Sequence, residues 1–243
     1  MIFEKIFFPG NIYCVCCGAV IDDTRPYSLC DKCRERFGWA VGRTCRKCGK
    51  PLEDTWRHDV CTDCREREHV FDRGFTCLSY GIYEKRLIAE YKYLRKKYIA
   101  RAIAEIMYDR MQCEDIRYDV VTAVPVHRSR LRKRGFDQAA LAASMFAKLA
   151  GATYEDTLVR VKQTAAMKTL NAEERKANIS GAFGAAPGAG AIVSGKDILL
   201  VDDIYTTGST VDVCSEVLKK EGARAVYVLT LASGGNMIRP GDE

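Results

Sequence analysis

The sequence predicts an α/β protein: a parallel sheet with helices on both faces, preceded by a small cysteine-rich module. Three observations predict it. Short β-branched runs alternate with amphipathic helical stretches from Phe75 onward, the pattern of crossover-connected parallel strands. Eight of the 12 cysteines fall in two copies of one spacing pattern near the N-terminus. An apolar run, ILLV, ends in Asp202 and Asp203 and opens into a hydroxyl-rich loop before a helix. The resulting division places the module at 1–70 and the large domain at 71–243.

The chain of 243 residues is 47% hydrophobic, enough for a substantial core, and carries a net charge of +6 with pI near 8.7. That mildly basic balance permits a polyanionic partner without requiring one. No apolar run reaches the ~20 residues that a membrane-spanning helix needs. The N-terminal apolar patch is broken by Glu4 and Lys5 and lacks a small-residue cleavage site. The chain is therefore read as soluble and cytoplasmic, with room for disorder only at the ends and around AAPGAG at 185–190.

The cysteines decide the chemistry of the module. Cys14, Cys17, Cys30 and Cys33 form C-x2-C-x12-C-x2-C, and Cys45, Cys48, Cys61 and Cys64 repeat it 31 residues later. The same offset matches Gly18 with Gly49, Ile21 with Leu52, Asp23 with Asp54 and Thr24 with Thr55, so a duplication explains both copies and selects Cys17 over Cys16. Two residues between thiolates let a tight knuckle present both sulfurs to one tetrahedral Zn²⁺, and a second knuckle closes the site. Four sulfurs leave no open position, so both zincs are expected to be structural. Sequential sites, one per repeat, are the simpler topology, with a cross-braced arrangement as the alternative. His58 and His69 lie nearby as bystanders, and Cys16, Cys77, Cys113 and Cys214 read as ordinary thiols.

In the large domain, FTCLSYGIY at 75–83 reads as a strand, and helices follow at 85–93 and 98–111. YDVVTAV at 118–124 is a strand stopped by Pro125, and the alanine-rich stretch 137–149 is a helix. Further strands are expected at 158–161, 198–201 and 225–231, with a helix at 210–221 ended by Gly222.

Ligands of open α/β sheets bind beyond the carboxyl ends of the strands, and two such ends carry unusual residues. After ILLVDD, the amides and hydroxyls of Thr206, Thr207, Gly208, Ser209 and Thr210 can form a nest at a helix N-terminus that holds a phosphate. Asp202 and Asp203 then stand beside the phosphate, placed for sugar hydroxyls directly or through a divalent metal. A helix cap alone needs only one such residue. After Val124 comes VPVHRSRLRKRGFDQ, whose RSRLRKR is either a solvated basic face or a mobile cationic loop for phosphates or a nucleic-acid backbone. Gly135 is a candidate hinge, Phe136 an anchor or stacking platform, and His127 a minor phosphate contact.

VDDIYTTGST resembles the phosphoribosyl pyrophosphate (PRPP) motif of type I phosphoribosyltransferases. Together with the cysteine-rich module, RGFDQ and the stretch 160–183, it resembles the ComF family of competence proteins over nearly the whole chain. The resemblance implies a type I phosphoribosyltransferase-like domain in which Asp202 and Asp203 hold the ribose hydroxyls with Mg²⁺ and residues 206–210 hold the 5-phosphate. It places Arg134 and Gly135 in the family's RGF segment, with Arg134 among the residues that would act on pyrophosphate. It matches Arg160, Thr164, Leu170, Arg175, Asn178 and Phe183 to a later pattern. Two positions depart from it, Asp137 where Asn is usual and Met167 where Gln is usual, and Arg134 is the expected partner for the extra charge of Asp137. The implied role is in DNA uptake during natural transformation, with PRPP, single-stranded DNA and a competence helicase or recombination-mediator protein as partners. The alternatives are a metabolic phosphoribosyltransferase acting on a small nitrogenous acceptor, and a zinc-ribbon interaction protein whose transferase fold is a relic.

Overall fold

Strands whose central residues are buried on both faces need cover on both sides, and helices supply it on each side of one parallel sheet. The computed structural model describes residues 12–93, 96–162 and 179–235. Its strands are β1 (Arg73–Ser79), β2 (Val120–Ala123), β3 (Thr153–Tyr154), β4 (Leu158–Arg160), β5 (Phe183–Ala185), β6 (Asp197–Tyr205) and β7 (Ala225–Ser233). Its helices are α1 (Asp31–Arg36), α2 (Thr62–Glu66), α3 (Ile82–Tyr93), α4 (Ile99–Gln112), α5 (Arg128–Arg134), α6 (Gln138–Ala150), α7 (Ala189–Val193) and α8 (Ser209–Lys220). Five strands form the sheet in the order β1-β7-β6-β2-β3, all parallel, while β4 and β5 pair antiparallel beside it.

From β2 the chain goes to β3 on one side, then returns to place β6 on the other. The direction of winding therefore reverses between β2 and β6, the position where a crevice opens in such sheets. Successive residues of β6 face opposite sides. Leu199 and Val201 pack with α3, α4 and α6, whereas Ile198 and Leu200 pack with Val211, Cys214 and Leu218 of α8.

The two cysteine repeats fold alike but pack on different cores. Matching backbone bonds join Cys14 N to Ala19 O (2.8 Å) and Cys45 N to Lys50 O (2.7 Å). Cys14, Leu29, Cys33 and Phe37 join the core of α3, α4 and α6, while Cys45, Cys48, Trp56 and Cys61 join that of α8. The segment between the repeats runs along edge strand β1: Trp39 bridges Leu78, Ala40 N donates to Cys77 O, and Ser79 N donates to Gly38 O. This cover closes an edge that would otherwise offer unpaired backbone groups. Buried Glu84 of α3 ties the same segment down by accepting from the amides of Gly38 (2.8 Å) and Gly81 (3.0 Å).

The stretch 185–190 is ordered, contrary to the composition-based expectation. Ala185 ends β5, Gly188 takes a left-handed φ of 81°, and α7 begins at Ala189. Buried Ala189 and Val193 supply the apolar contact that the short segment lacks on its own. Among the described residues no helix is long and apolar enough to cross a membrane.

The second knuckle meets β1 with no space to spare. Gly49 has φ +77°, and a Cβ there would lie 2.7 Å from Gly74 O and from Phe75 Cα. Gly49→Ala is expected to lower the unfolding free energy by roughly 1–3 kcal/mol from backbone strain alone, with the steric clash adding to it. The denaturant midpoint measures this, and Gly18→Ala, where nothing lies within 4 Å, should cost less.

Candidate functional site

The acids lie inside β6, not after it. Asp202 and Asp203 fall in the segment of the strand beyond Val201, where the pairing with β2 ends at Ala123 and only β7 continues alongside. Both residues therefore lie in the part of β6 that extends beyond β2 at the reversal point. Burial, then the charge of Asp203, pushes the Asp202 carboxyl up to about 8, against the pull of the Asp203 amide and the Lys92 ammonium. The Asp203 amide donates to Asp202 Oδ1 (2.8 Å), and Asp203 forms an ion pair with Lys92 at the end of α3.

Asp137 is the third acid of this neighbourhood, and it is a structural cap. It accepts from Val126 N (2.8 Å) and from Ala140 N (3.1 Å), closing the N-terminus of α6 and fixing the chain that leaves β2. Burial raises its carboxyl, opposed by those amides, and the charge of Asp203 raises it further. Arg134 does not pair with it. The guanidinium donates to Gln138 Oε1 (2.8 Å) and lies 5.3 Å over the Tyr93 ring. Among the described residues no ion pair joins Arg134 to Asp137, Asp202 or Asp203.

The basic segment 128–134 is a helix, α5, and not a loop. His127 caps it, its Nδ1 accepting from Ser129 N (3.2 Å), and Gly135 ends it with φ 81° while its amide donates to Leu131 O. Gly135 is thus a helix terminator and His127 a cap. Phe136 is buried against Tyr91 (ring centroids 5.3 Å), an anchor and not an exposed platform. Arg128, Arg132 and Lys133 remain exposed.

The segment 206–210 leads from the end of β6 into the first turn of α8. Gly208 has φ 79° and caps α8, a 12-residue helix, and the Thr207 and Ser209 hydroxyls bond each other at 2.9 Å. Exposed Thr206 borders the opening, and Ser209 and Thr210 form the first turn of α8. Of the later pattern, Arg160 and Phe183 are register partners across β4 and β5, with the guanidinium 5.0 Å over the Phe183 ring. Thr164, Met167, Leu170, Arg175 and Asn178 lie outside the described residues.

A strand, an acid pair, a hydroxyl-rich loop and a helix thus follow one another at the reversal point of the parallel sheet. Residues 92–241 match the phosphoribosyl transferase domain, and residues 3–65 match the double zinc ribbon domain. The chain belongs to the phosphoribosyl transferase domain family. A DNA utilization protein of Salmonella typhi, YhgH, is 32% identical over 151 residues, covering 60% of this chain and 65% of that protein. Competence protein F of Haemophilus influenzae is 29% identical over 152 residues, covering 60% of this chain and 66% of that protein. Among solved structures, the allosteric regulatory enzyme of purine biosynthesis superposes with a TM-score of 0.41 at 22% identity, covering 58% of this chain and 29% of that one.

The double zinc ribbon holds two four-cysteine groups, Cys14–Cys17–Cys30–Cys33 and Cys45–Cys48–Cys61–Cys64, each with all sulfurs within 4.8 Å of one another. The sites are sequential, one per repeat. Gly18 and Gly49, at φ 76° and 77°, take the left-handed conformation that the knuckle turns require. The donor chemistry of four thiols per site fits structural Zn²⁺ with no position left for substrate. Cys16 and Cys77 are buried outside these groups, and burial pushes the Cys77 thiol up to about 12.

Two participants were not identified from the sequence. Lys92 lies four residues after Ile88 on the buried stripe of α3, so a lysine on an apolar face was its one signal. His69 is not a metal ligand but is buried beside the loop, bonded to Asp212.

The Asp202 shift has a testable sign. Its folded carboxyl titrates near 8 against an ordinary 3.8, so the folded state retains a proton that the unfolded chain releases. The associated stability is full below the unfolded value and is lost as pH rises through the folded one. Asp202→Asn should therefore flatten the decline in stability of the ligand-free protein between these pH values. Urea unfolding at a series of pH values measures the slope, and an unchanged slope would contradict a neutral Asp202.

Proposed function

We propose that the phosphoribosyl transferase domain binds PRPP with Mg²⁺ and that the chain serves DNA uptake as a ComF-like protein. The observation that carries the reading is the juxtaposition of Asp202 and Asp203 with the left-handed Gly208 and the start of α8 at the sheet's reversal point. In this reading the amides and hydroxyls of 206–210 hold the 5-phosphate at the positive end of a helix. Asp202 and Asp203 accept from the ribose hydroxyls and face the magnesium. The donor set suits that group: Asp202 and Asp203 would supply two carboxylates for a hard cation, and Lys92 balances Asp203 in the structure described. Mg²⁺, when bound, offsets charge on the pyrophosphate. The exposed cations of α5 stand at the C-terminal end of β2 and add to that field.

The names of the relatives, a DNA utilization protein and a competence protein, support the DNA-uptake role. Single-stranded DNA would meet the exposed basic surface of α5 through its phosphates, and the double zinc ribbon offers the surface for a helicase or recombination-mediator partner.

Calorimetry with Mg–PRPP tests the site. Wild type is expected to bind, and Asp202→Ala should weaken binding by about tenfold or more, the loss of a hydrogen bond to a charged group. A wild type that produces no heat and no competition with phosphate refutes the assignment. Because ligation needs the ionised carboxylate, affinity should rise with pH toward about 8 in wild type and not in Asp202→Asn. Pyrophosphate release with a panel of nitrogenous bases identifies the alternative, a metabolic phosphoribosyltransferase; binding without release favours the uptake role.

For DNA, binding to single-stranded oligonucleotides should weaken steeply with salt. The combined Arg128→Ala and Arg132→Ala variant should lower the slope by about 0.7 for each phosphate left without an arginine. A variant with wild-type affinity and salt slope would move the DNA-binding surface off α5.

A further inference from the structure

The phosphate loop rests on residues that belong to neither the loop nor the sheet's reversal point alone. A Cβ on Gly208 would lie 2.5 Å from the Tyr205 hydroxyl and 2.7 Å from His69 Cε1, so the loop backbone lies directly on these two side chains. His69 Nδ1 bonds Asp212 Oδ2 (2.7 Å) in the first turn of α8, and the neighbouring Val70 amide donates to Asp212 Oδ1 (2.9 Å). His69 Nε2 lies 3.3 Å from the Tyr205 hydroxyl, and the imidazole stacks on Phe71 at 4.9 Å. Asp212 thus joins α8 to the segment after the second zinc ribbon, with His69 wedged beneath the nest.

On the other side the same residues touch the second ribbon. Lys50, two residues after Cys48, pairs with Asp63, which stands between Cys61 and Cys64. Its ammonium lies 5.8 Å over the Tyr205 ring. Lys47, inside the knuckle, donates to Phe71 O and lies 5.1 Å over the Phe71 ring. The knuckle that presents two thiolates to a metal therefore also clamps the two aromatic rings on which His69 rests. The first ribbon packs elsewhere, with α3 and α4, where Tyr27 donates to Asp109 (2.7 Å).

We propose that His69 is a positioning residue for the 206–210 loop, and that through it metal occupancy of the second four-cysteine site is linked to ligand occupancy of the loop. The linkage rests on the PRPP-binding reading; the positioning role does not. Coupling between sites is reciprocal, so whatever ordering of Lys47 and Lys50 favours the ligand is matched by the ligand's hold on the second site. The first site lies outside the coupled unit.

Hydrogen exchange of the full, zinc-loaded chain without ligand tests positioning. His69→Ala is expected to speed exchange of the amides from 205 to 213 by about tenfold, within the usual range for coupled sites. His69→Asn, which keeps a donor toward Asp212, should restore most of the protection. Should His69→Ala not fold, Asp212→Asn carries the same expectation. Wild-type exchange across this segment in the variant, or faster exchange spread over the whole chain, overturns the positioning role. Zinc release to a chromophoric chelator tests the linkage. Mg–PRPP should slow release of one of the two metal equivalents in wild type and of neither in His69→Ala. Binding of Mg–PRPP that leaves both release rates unchanged overturns the linkage. Failure of wild type to bind Mg–PRPP removes the ligand reading and with it the linkage, while the exchange result still decides the role of His69.

Discussion

Strand β6 outruns its neighbour. Its pairing with β2 stops at Ala123 opposite Val201, yet the strand continues to Tyr205 along β7 alone. A strand with a partner on one side only has one free edge, and that edge holds Asp202 and Asp203. The crevice, the order of the acids before the loop and the entry into α8 all depend on this difference in strand length. Were β2 as long as β6, backbone pairing would continue past Val201 and leave Asp202 and Asp203 between two strands.

Three carboxylates close to one another in a protein interior repel, and the fold meets that cost in three ways. Asp137 is satisfied by two backbone amides, Asp203 by Lys92, and Asp202 by retaining its proton at neutral pH. The last two arrangements are reversible. Under the proposed Mg²⁺ binding, a divalent cation would take over from the proton on Asp202 and the ammonium beside Asp203. The departure at position 137 is explained within the same arrangement: an aspartate there serves as a helix cap, and its charge is held by α6 and not by Arg134.

The duplicated ribbons carry the same ligand pattern to different ends. Each repeat closes its own site with the same knuckle bonds, because the spacing of cysteines and glycine is local and identical. Their environments differ because the segment between them crosses edge strand β1, leaving one ribbon in the core with α3 and α4 and the other in the core with α8. Among the described residues it is the second ribbon that thereby comes to lie against the residues beneath the 206–210 segment.

The parallel sheet and the long helices were legible from hydrophobic period, and both zinc sites and the 206–210 loop from residue spacing. Each is encoded by neighbours in the chain, where a knuckle, a strand end or a helix start fixes the geometry of the next few residues. The basic stretch 128–134, open between a solvated basic face and a mobile loop, is a short helix capped by His127 and ended by Gly135, and its dense charge hides the helical period. The small elements α7, β3 and β5 depend on packing that no window of sequence contains. By itself, then, the sequence determined which cysteines group as metal ligands and where the acid pair precedes the start of a helix. Tertiary structure alone decided that Lys92 neutralises Asp203, that His69 meets an aspartate 143 residues away, and which ribbon lies under the loop. Contacts between such distant residues leave no periodic trace in the chain; they arise only when the sheet brings its edge, its reversal point and its covering layer together.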